Sequence, residues 1–591
     1  MRLHRISSAF ICPLAPRSPK RPMSTIKTPP TRSIPADFSL TPAERTLFDS
    51  LLTYTSSLPS TTRPTLRAAG GWVRDKLLGG TSHDIDIAVD NQTGLEFAEG
   101  FVKWRSSHHN GSGSDNGGSL EGPKVVKIEA RPEQSKHLET ATVTLDGLSL
   151  DFVNLRAETY ASTPSNRIPT SMIFGTPLED ALRRDLTINA LFYNLSISSV
   201  EDFTGSGIED LKNMMIRTPL EPRQTFLDDP LRILRAVRFA SRLGFEVEHS
   251  IREVTSSDEE VRRRLDQNVS RERFGQEIGK MISEDGSKPL AALELLVDLG
   301  IWEIAFKKPE GLKEGGEPES TELVKRAGKG LWEALRLGYE SKSTILGMEV
   351  PTRAARAKMW LATCFVPWRD NKLGQVKKMK YSRVAEAVVS ESIKLSKEEK
   401  EYVCKLLDAA EIIQREWIEP NRAEKPLDTS EALSAQRVDL GLLLQSKTIH
   451  DPRIGLLWPD TILFSLLLAH LRLPFPASLT PSLLHRRYQT LQDLIHTLSI
   501  PSNAFRKPPL NGNDLTEIIG YKPGRKMGEY LARVNEWMLA HPEGGKEECE
   551  EWARKERREG RLGSDEEAEG DGGDKRNEDG EVQRRKKVRT E

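Results

Sequence analysis

The chain has 591 residues, too many for a single hydrophobic core, so several domains are expected. Its 86 basic and 87 acidic residues leave a net charge of −1, which excludes a uniformly basic nucleic-acid binder and confines any such contact to local patches. No apolar run approaches a membrane span, and the four scattered cysteines (Cys12, Cys364, Cys404, Cys549) support neither a disulfide framework nor zinc-type pairing.

In chain order, residues 1–36 are rich in Arg, Lys, Ser and Pro with no acid before Asp37, the composition of a mitochondrial transit peptide. Met23 offers a second start that yields a shorter product without that segment, and with it cytoplasmic and nuclear forms. Residues 37–205 read as mixed helix and strand, interrupted by the low-complexity loop "RSSHHNGSGSDNGGSLEGP". "TATVTLDGLSLDFVNL" predicts two strands around an Asp-Gly turn, whereas "RAETYASTPSNRIPTSMIFGTPLED" looks loop-like. From 206 onward strand signals fade and amphipathic helices dominate, with further divisions at 206–285, 286–500 and 501–555. Residues 556–591 are too polar to pack and end in "RRKKVR", open to two readings: a nuclear signal or a solvated disordered tail.

Three stretches carry chemistry. In "HDIDIAVD" the strand period of two puts Asp84 and Asp86 on one face and Ile85, Ile87 and Val89 on the other. Two such carboxylates suit Mg²⁺, which takes oxygen ligands and keeps water and phosphate as the remainder. Asp151, between Leu150 and Phe152, has the same setting and joins that face if its strand is the neighbour. The alternative is an exposed strand with its acids outward. The preceding "GGWVRD" shifts the balance: Gly70 and Gly71 let backbone N–H groups approach a phosphate, and a helix start favours anions. Arg74 adds charge-assisted bonds, with Asp75 to orient it.

"DALRRDLTINALFYN" places Arg183, Arg184 and Asp185 before Asn189, and the i, i+4 spacing of Asp185 and Asn189 predicts one helical face suited to ribose and triphosphate. "FLDDPLRILRAVRFASRLGF" predicts a helix capped by Asp228 or Asp229, with Pro230 at its first turn and Arg232, Arg235, Arg238 and Arg242 along one side. Such stripes are usually solvated. Asp229 and Arg232, however, are close enough to read one base edge together. The carboxylate accepts from an exocyclic amino group and the guanidinium donates to the ring acceptor beside it. Cytosine and adenine offer that pattern; uracil and guanine present a keto oxygen to the carboxylate.

With these residues in view, the sequence resembles the class II CCA-adding enzymes, tRNA nucleotidyltransferases of the fungal type. "GGWVRDKLLGGTSHDIDIAVD", "KHLETATVTLDGLSLDFVNLRAETY", "RRDLTINALFYN", "DDPLRILRAVRFASRLGF" and "VSRERFGQEIGKM" occur in the family's order across roughly positions 66 to 285. The resemblance implies an α+β fold: a nucleotidyltransferase head with a mixed sheet, then an all-helical neck, body and tail. It implies that Asp84 and Asp86 hold catalytic Mg²⁺ and that "RRDLTINA" meets ribose and triphosphate. It further implies that Asp229 with Arg232 would act as the amino-acid template for CTP and ATP, and that "VSRERFGQEI" would brace the template helix. Asp151 is a metal ligand or an auxiliary acid. The segment beginning "LNGNDLTEIIGYKPGRKMGEY" is similar to the family's tRNA-contacting tail, with Lys522, Arg525 and Lys526 on phosphates. Asp228 stands where many bacterial relatives carry Glu.

The nearest rival is a bacterial-type poly(A) polymerase, which shares the head. That group carries a Gly-Arg-Arg-Phe type block after the two-acid strand, where this chain reads "ARPEQSKHLETATV". A catalytically dead RNA-binding protein is opposed by the retention of Asp84, Asp86, Asp185 and Arg232. "IHDP", at His450 and Asp451, hints at an added phosphohydrolase but reads as a loop without accompanying ligands.

Overall fold

The computed structural model describes residues 32–34, 38–109, 125–128, 140–145, 147–160, 169–283, 286–340, 351–373, 380–425, 428–471, 480–520 and 524–562. Met23 and all of the predicted transit peptide except residues 32–34 and, at the far end, the basic cluster, together with Lys522, lie outside the described residues. The chain divides into two compact units. The first takes the described residues within 32–332 and 356–404, the second those within 333–355 and 405–562.

The first unit is built on a seven-stranded mixed sheet ordered β3-β4-β5-β2-β1-β8-β9. Its strands are β1 (Leu66–Ala69), β2 (Asp84–Val89), β3 (Val125–Ile128), β4 (Thr140–Leu145), β5 (Leu148–Asn154), β8 (Phe192–Asn194) and β9 (Ser199–Glu201). β2 and β5 are parallel neighbours, while β1–β2, β4–β5 and β1–β8 are antiparallel. The expected hairpin is present, with Gly147 at φ +80° completing its turn. One face buries Ile85, Ile87, Leu150 and Phe152 at 0–1% exposure. Against it lies α3 (Gly94–His109), whose Phe97 ring is 5.4 Å from that of Phe152. Burying four such side chains contributes roughly 1.5–3 kcal/mol each, which fixes the register and therefore turns Asp84 and Asp86 outward.

Helix α1 (Pro42–Ser57) anchors α2 (Gly71–Leu77): the buried Glu44 accepts from Lys76 Nζ at 2.6 Å and from Trp72 Nε1 at 3.1 Å. Isolated buried charges are costly, so this pair sets the angle at which α2 leaves β1.

Two expectations are corrected. The segment read as a loop after Leu155 contains two paired antiparallel strands, β6 (Arg156–Tyr160) and β7 (Pro169–Phe174). "DALRRDLTINALFYN" is not one helix. After α4 (Pro177–Leu182) the backbone bends, Leu186 is extended (φ −138°, ψ 146°), and a single 3₁₀ turn, Thr187–Asn189, leads into β8. The Asp185 carboxylate accepts from the N–H of Leu186 at 2.9 Å, a local bond that competes with helix propagation.

Beyond the head come α5 (Gly207–Lys212), α6 (Pro222–Asp228), α7 (Leu231–Leu243), α8 (His249–Ser257), α9 (Glu259–Asn268) and α10 (Arg271–Ser283). The region is helical as expected except for one short parallel pair, β10 (Met215–Ile216) with β11 (Glu246–Val247). Farther along the same unit, Trp302 stacks on Phe306 and Trp368.

The second unit is helical. Its helix Trp458–Leu471 is buried around nearly its whole circumference and meets the helix Pro481–Thr497 through Ser465 and Tyr488, whose hydroxyls are 2.7 Å apart. The stretch from Leu510 to Leu562 has its own small core of Leu515, Ile519, Val534, Trp537, Cys549, Ala553 and Leu562, so the tail read as too polar to pack from 556 is packed as far as the fully buried Leu562.

Candidate active site

The period of β2 and its register with β5 build the first part of the site. Asp86 is exposed between buried Ile85 and Ile87, Asp84 is exposed at the start of the strand, and Asp151 sits directly opposite Asp86. All three acids thus share one face. Asp151 is half-buried and its Oδ1 accepts from Thr142 Oγ1 at 2.6 Å across the β4–β5 pair. Among the described residues no three His, Cys, Asp or Glu side chains converge tightly enough to cage a metal by themselves.

The glycine turn borders these acids. Gly70 caps α2 with φ +70°, a region L side chains rarely adopt. A Cβ there would lie 2.7 Å from Arg184 Nη1, 3.5 Å from the Asn189 carbonyl oxygen and 3.9 Å from Asp86 Oδ2. The absent side chain therefore leaves room for Arg184 to donate to the Asn189 carbonyl beside the turn, with Asp86 nearby.

Arg74 is 4% exposed and faces inward, donating from Nε to Asp75 Oδ1 at 2.8 Å and from Nη1 to Asn189 Oδ1 at 2.5 Å. Asn189 Nδ2 in turn donates to Asp185 Oδ1 at 3.1 Å, so the predicted Asp185–Asn189 pairing exists without the predicted helix. Arg235 Nε donates to Asp185 Oδ2 at 2.7 Å. Burial pushes the Asp185 carboxyl up, but Arg235, Asn189 and Arg232 together outweigh it and lower its pKa to about 2. Arg184 reaches Asp180 and the Asn189 carbonyl, both at 3.0 Å. Sequence reasoning missed Asp180, although its i+3 and i+4 spacing to Arg183 and Arg184 in "EDALRR" carries the signal.

Neither predicted acid is the N-cap of α7: Pro230 holds that position without a side-chain cap bond, Asp228 is the last residue of α6 and Asp229 its C-cap, although Asp229 Oδ1 accepts from the N–H of Leu231 at 3.1 Å. Arg232 Nη2 donates to the Arg183 carbonyl at 2.7 Å, tying the helix to the "RRD" turn. Asp86 and Arg184 both border the Gly70 turn, Arg184 donates to the Asn189 carbonyl, and Arg232 on α7 donates to the carbonyl of Arg183, the residue before Arg184. Helix α10 faces α7 with Arg273 at 3.5 Å from Asp229 Oδ2 and Glu277 at 2.7 Å from Arg238 Nε. The stripe is therefore not a solvated face at Arg238, which is 7% exposed.

In the second unit Arg525 and Lys526 are exposed on the 3₁₀ turn Gly524–Lys526, before the helix Met527–Ala540. His450 and Asp451 are structural. Asp451 pairs with Lys405 and Arg453, which hold its carboxyl well below the usual range, and the His450 ring lies 4.3 Å from that of Phe505.

Comparison with known proteins places this arrangement. Residues 66–217 match the poly A polymerase head domain. The chain is 32% identical over 495 residues to the mitochondrial CCA tRNA nucleotidyltransferase of Saccharomyces cerevisiae, covering 82% of this chain and 86% of that one. It is 33% identical over 522 residues to the tRNA nucleotidyltransferase cca1 of Schizosaccharomyces pombe, covering 86% and 95%. A solved apo structure of a CCA-adding enzyme shares the fold at a TM-score of 0.53 and 20% identity, over 87% of this chain and 96% of that one. The chain belongs to the CCA tRNA nucleotidyltransferase family.

Proposed function

We propose that the protein adds CCA to the 3′ end of tRNA from CTP and ATP without a nucleic-acid template. The observation supporting this reading is that Asp86 and Arg184 border the same glycine turn while Arg232 bonds to the carbonyl of Arg183, so the acids proposed for phosphate chemistry lie near the helix proposed to read the base. The fungal similarity extends well past the head shared with poly(A) polymerases, which favours CCA addition over that alternative.

Asp84 and Asp86, exposed on a rigid strand, fit Mg²⁺ as two of its ligands. When bound, the ion polarises the triphosphate and lowers the pKa of the primer hydroxyl. Gly70 and Gly71 admit the triphosphate, and Arg184 supplies positive charge beside it. The tRNA 3′ oxygen bonds to the α-phosphorus as the bond to the bridging oxygen breaks, and pyrophosphate leaves. Asp151, held by Thr142, serves either as a further metal ligand or as the auxiliary carboxylate that takes the proton the 3′ hydroxyl gives up as it attacks. Asp229 accepts from the exocyclic amino group of cytosine or adenine while Arg232 donates to the adjacent ring nitrogen. Arg74, Arg235 and Arg238 act through their internal bonds, by holding Asn189, Asp185 and α7.

Within this reading residues 37–205 are the catalytic head, 206–285 the neck, 286–500 the body and 501–555 the tail. Lys522, Arg525 and Lys526 meet tRNA phosphates, consistent with the exposure of the latter two. The acid-free basic leader and the mitochondrial name of the yeast relative support mitochondrial delivery, with Met23 providing cytoplasmic and nuclear forms. Among the described residues no helix is long and apolar enough to cross a membrane.

The test supplies purified protein with tRNA lacking its 3′ CCA and each nucleotide separately, then together. Two C residues and one A, dependent on Mg²⁺, are expected. Long A tails from ATP alone support the polymerase alternative instead, and no incorporation supports a binding module.

A further inference from the structure

Phe239 lies in the middle of α7, 6% exposed, and three guanidinium groups surround its ring. Arg238 is 4.3 Å from the ring centroid, Arg74 is 4.9 Å away and Arg235 is 5.8 Å away. These arginines come from two separate elements, α2 of the head and α7 of the selecting helix. Three cations around one buried ring would repel one another, but each has its own carboxylate: Arg74 with Asp75, Arg235 with Asp185 and Arg238 with Glu277, all at 2.7 Å. The ring's negative face attracts what remains of their charge. The contacts also close a circuit from Arg74 through Asn189, Asp185 and Arg235 to Phe239 and back to Arg74.

We propose that Phe239 is a specificity-determining positioning residue, whose ring locks the glycine-turn helix of the head to the base-reading helix so that a nucleotide's phosphates and its base are judged in one geometry. The inference rests on the nucleotidyltransferase reading above. Phe239 need not touch the nucleotide. It acts through Arg74, which lies on α2 one turn after Gly70, and through Arg235, one turn after Arg232. An aliphatic side chain of similar volume fills the same space but presents no face to the cations, so the chemistry asked of position 239 is aromatic as well as apolar.

The experiment places singly, doubly and triply fluorinated phenylalanine at position 239, alongside Phe239→Leu and Phe239→Tyr. Fluorination drains the ring's negative face with little change of shape. For each protein the ratio of C to U incorporation on tRNA lacking CCA is measured, with kcat and KM for CTP and the unfolding temperature. Discrimination is expected to fall stepwise along the fluorinated series, by roughly tenfold at its end. KM should rise more than kcat falls, Tyr should stay near the parent, and the unfolding temperature should hold nearly constant. A flat series, or loss of discrimination only in step with the unfolding temperature, overturns the proposal. Failure of the parent protein to add CCA at all sinks the underlying reading instead, so the two failures are distinguishable.

Discussion

Asp86 and Asp151 face each other across the parallel β2–β5 pair, at the one place in the sheet where both strands carry an acid in register. The relationship depends on the buried partners Ile87 and Phe152, one residue along, which lock the register. Asp86→Asn preserves that packing and removes one charge from the face proposed to hold the metal. Incorporation of either nucleotide should fall by about a thousandfold or more, while the unfolding temperature changes little; single-turnover assays with labelled CTP check the first part.

Gly70→Ala probes the turn between β1 and α2. The new methyl group meets Arg184 Nη1 at 2.7 Å in a left-handed backbone conformation. The expected cost is about 1–2 kcal/mol in stability and a larger loss in catalysis, because Arg184 Nη1 must give way while the backbone is held in a conformation unfavourable to alanine. Near-parental activity in steady-state assays would show that the close approach at Gly70 is not required.

Glu277→Gln tests the brace on α7. Arg238 is buried and its Nε bond to Glu277 is 2.7 Å long, so neutralising the acid strands a buried guanidinium. A loss of about 3 kcal/mol is expected by chemical denaturation, together with weaker C-over-U preference.

The second unit carries two buried groups with opposite pH signatures. Burial raises the Asp460 carboxyl to about 7 against the opposing bond from the Leu457 backbone, so this residue's stabilising contribution is full below about pH 4 and lost as pH rises through 7. Burial lowers the His470 pKa from 6.5 to about 4, so its contribution is present above 6.5 and lost as pH falls through 4. Asp460→Asn should therefore raise the unfolding temperature at pH 8 and leave it nearly unchanged at pH 4. Equal effects at both pH values, by differential scanning fluorimetry, would contradict the assignment.

Much of the site was legible because its signals are local. Period-two alternation exposes Asp84 and Asp86, and an Asp-Gly pair marks the β4–β5 turn. Helix spacing aligns Arg232, Arg235 and Arg238. What these arginines grip was not legible, because Asp185 is fifty residues before Arg235 and Asn189 is 115 after Arg74. The helix read into "RRDLTINA" failed for a local reason: the Asp185 side chain takes the N–H of Leu186, and burial of Leu186 and Ile188 favours the extended turn. The strands β6 and β7 escaped notice because Ser, Thr and Pro dominate their surroundings, and their pairing crosses a gap that carries no periodic pattern.

The central claim, that side chains of this protein choose the nucleotide, is tested most directly by sequencing 3′ ends made on tRNA lacking CCA when all four nucleoside triphosphates are present. The parent protein should produce CCA ends almost exclusively. Arg232→Ala should mix U and G into them while still extending the primer. Identical ends from both proteins would contradict the account.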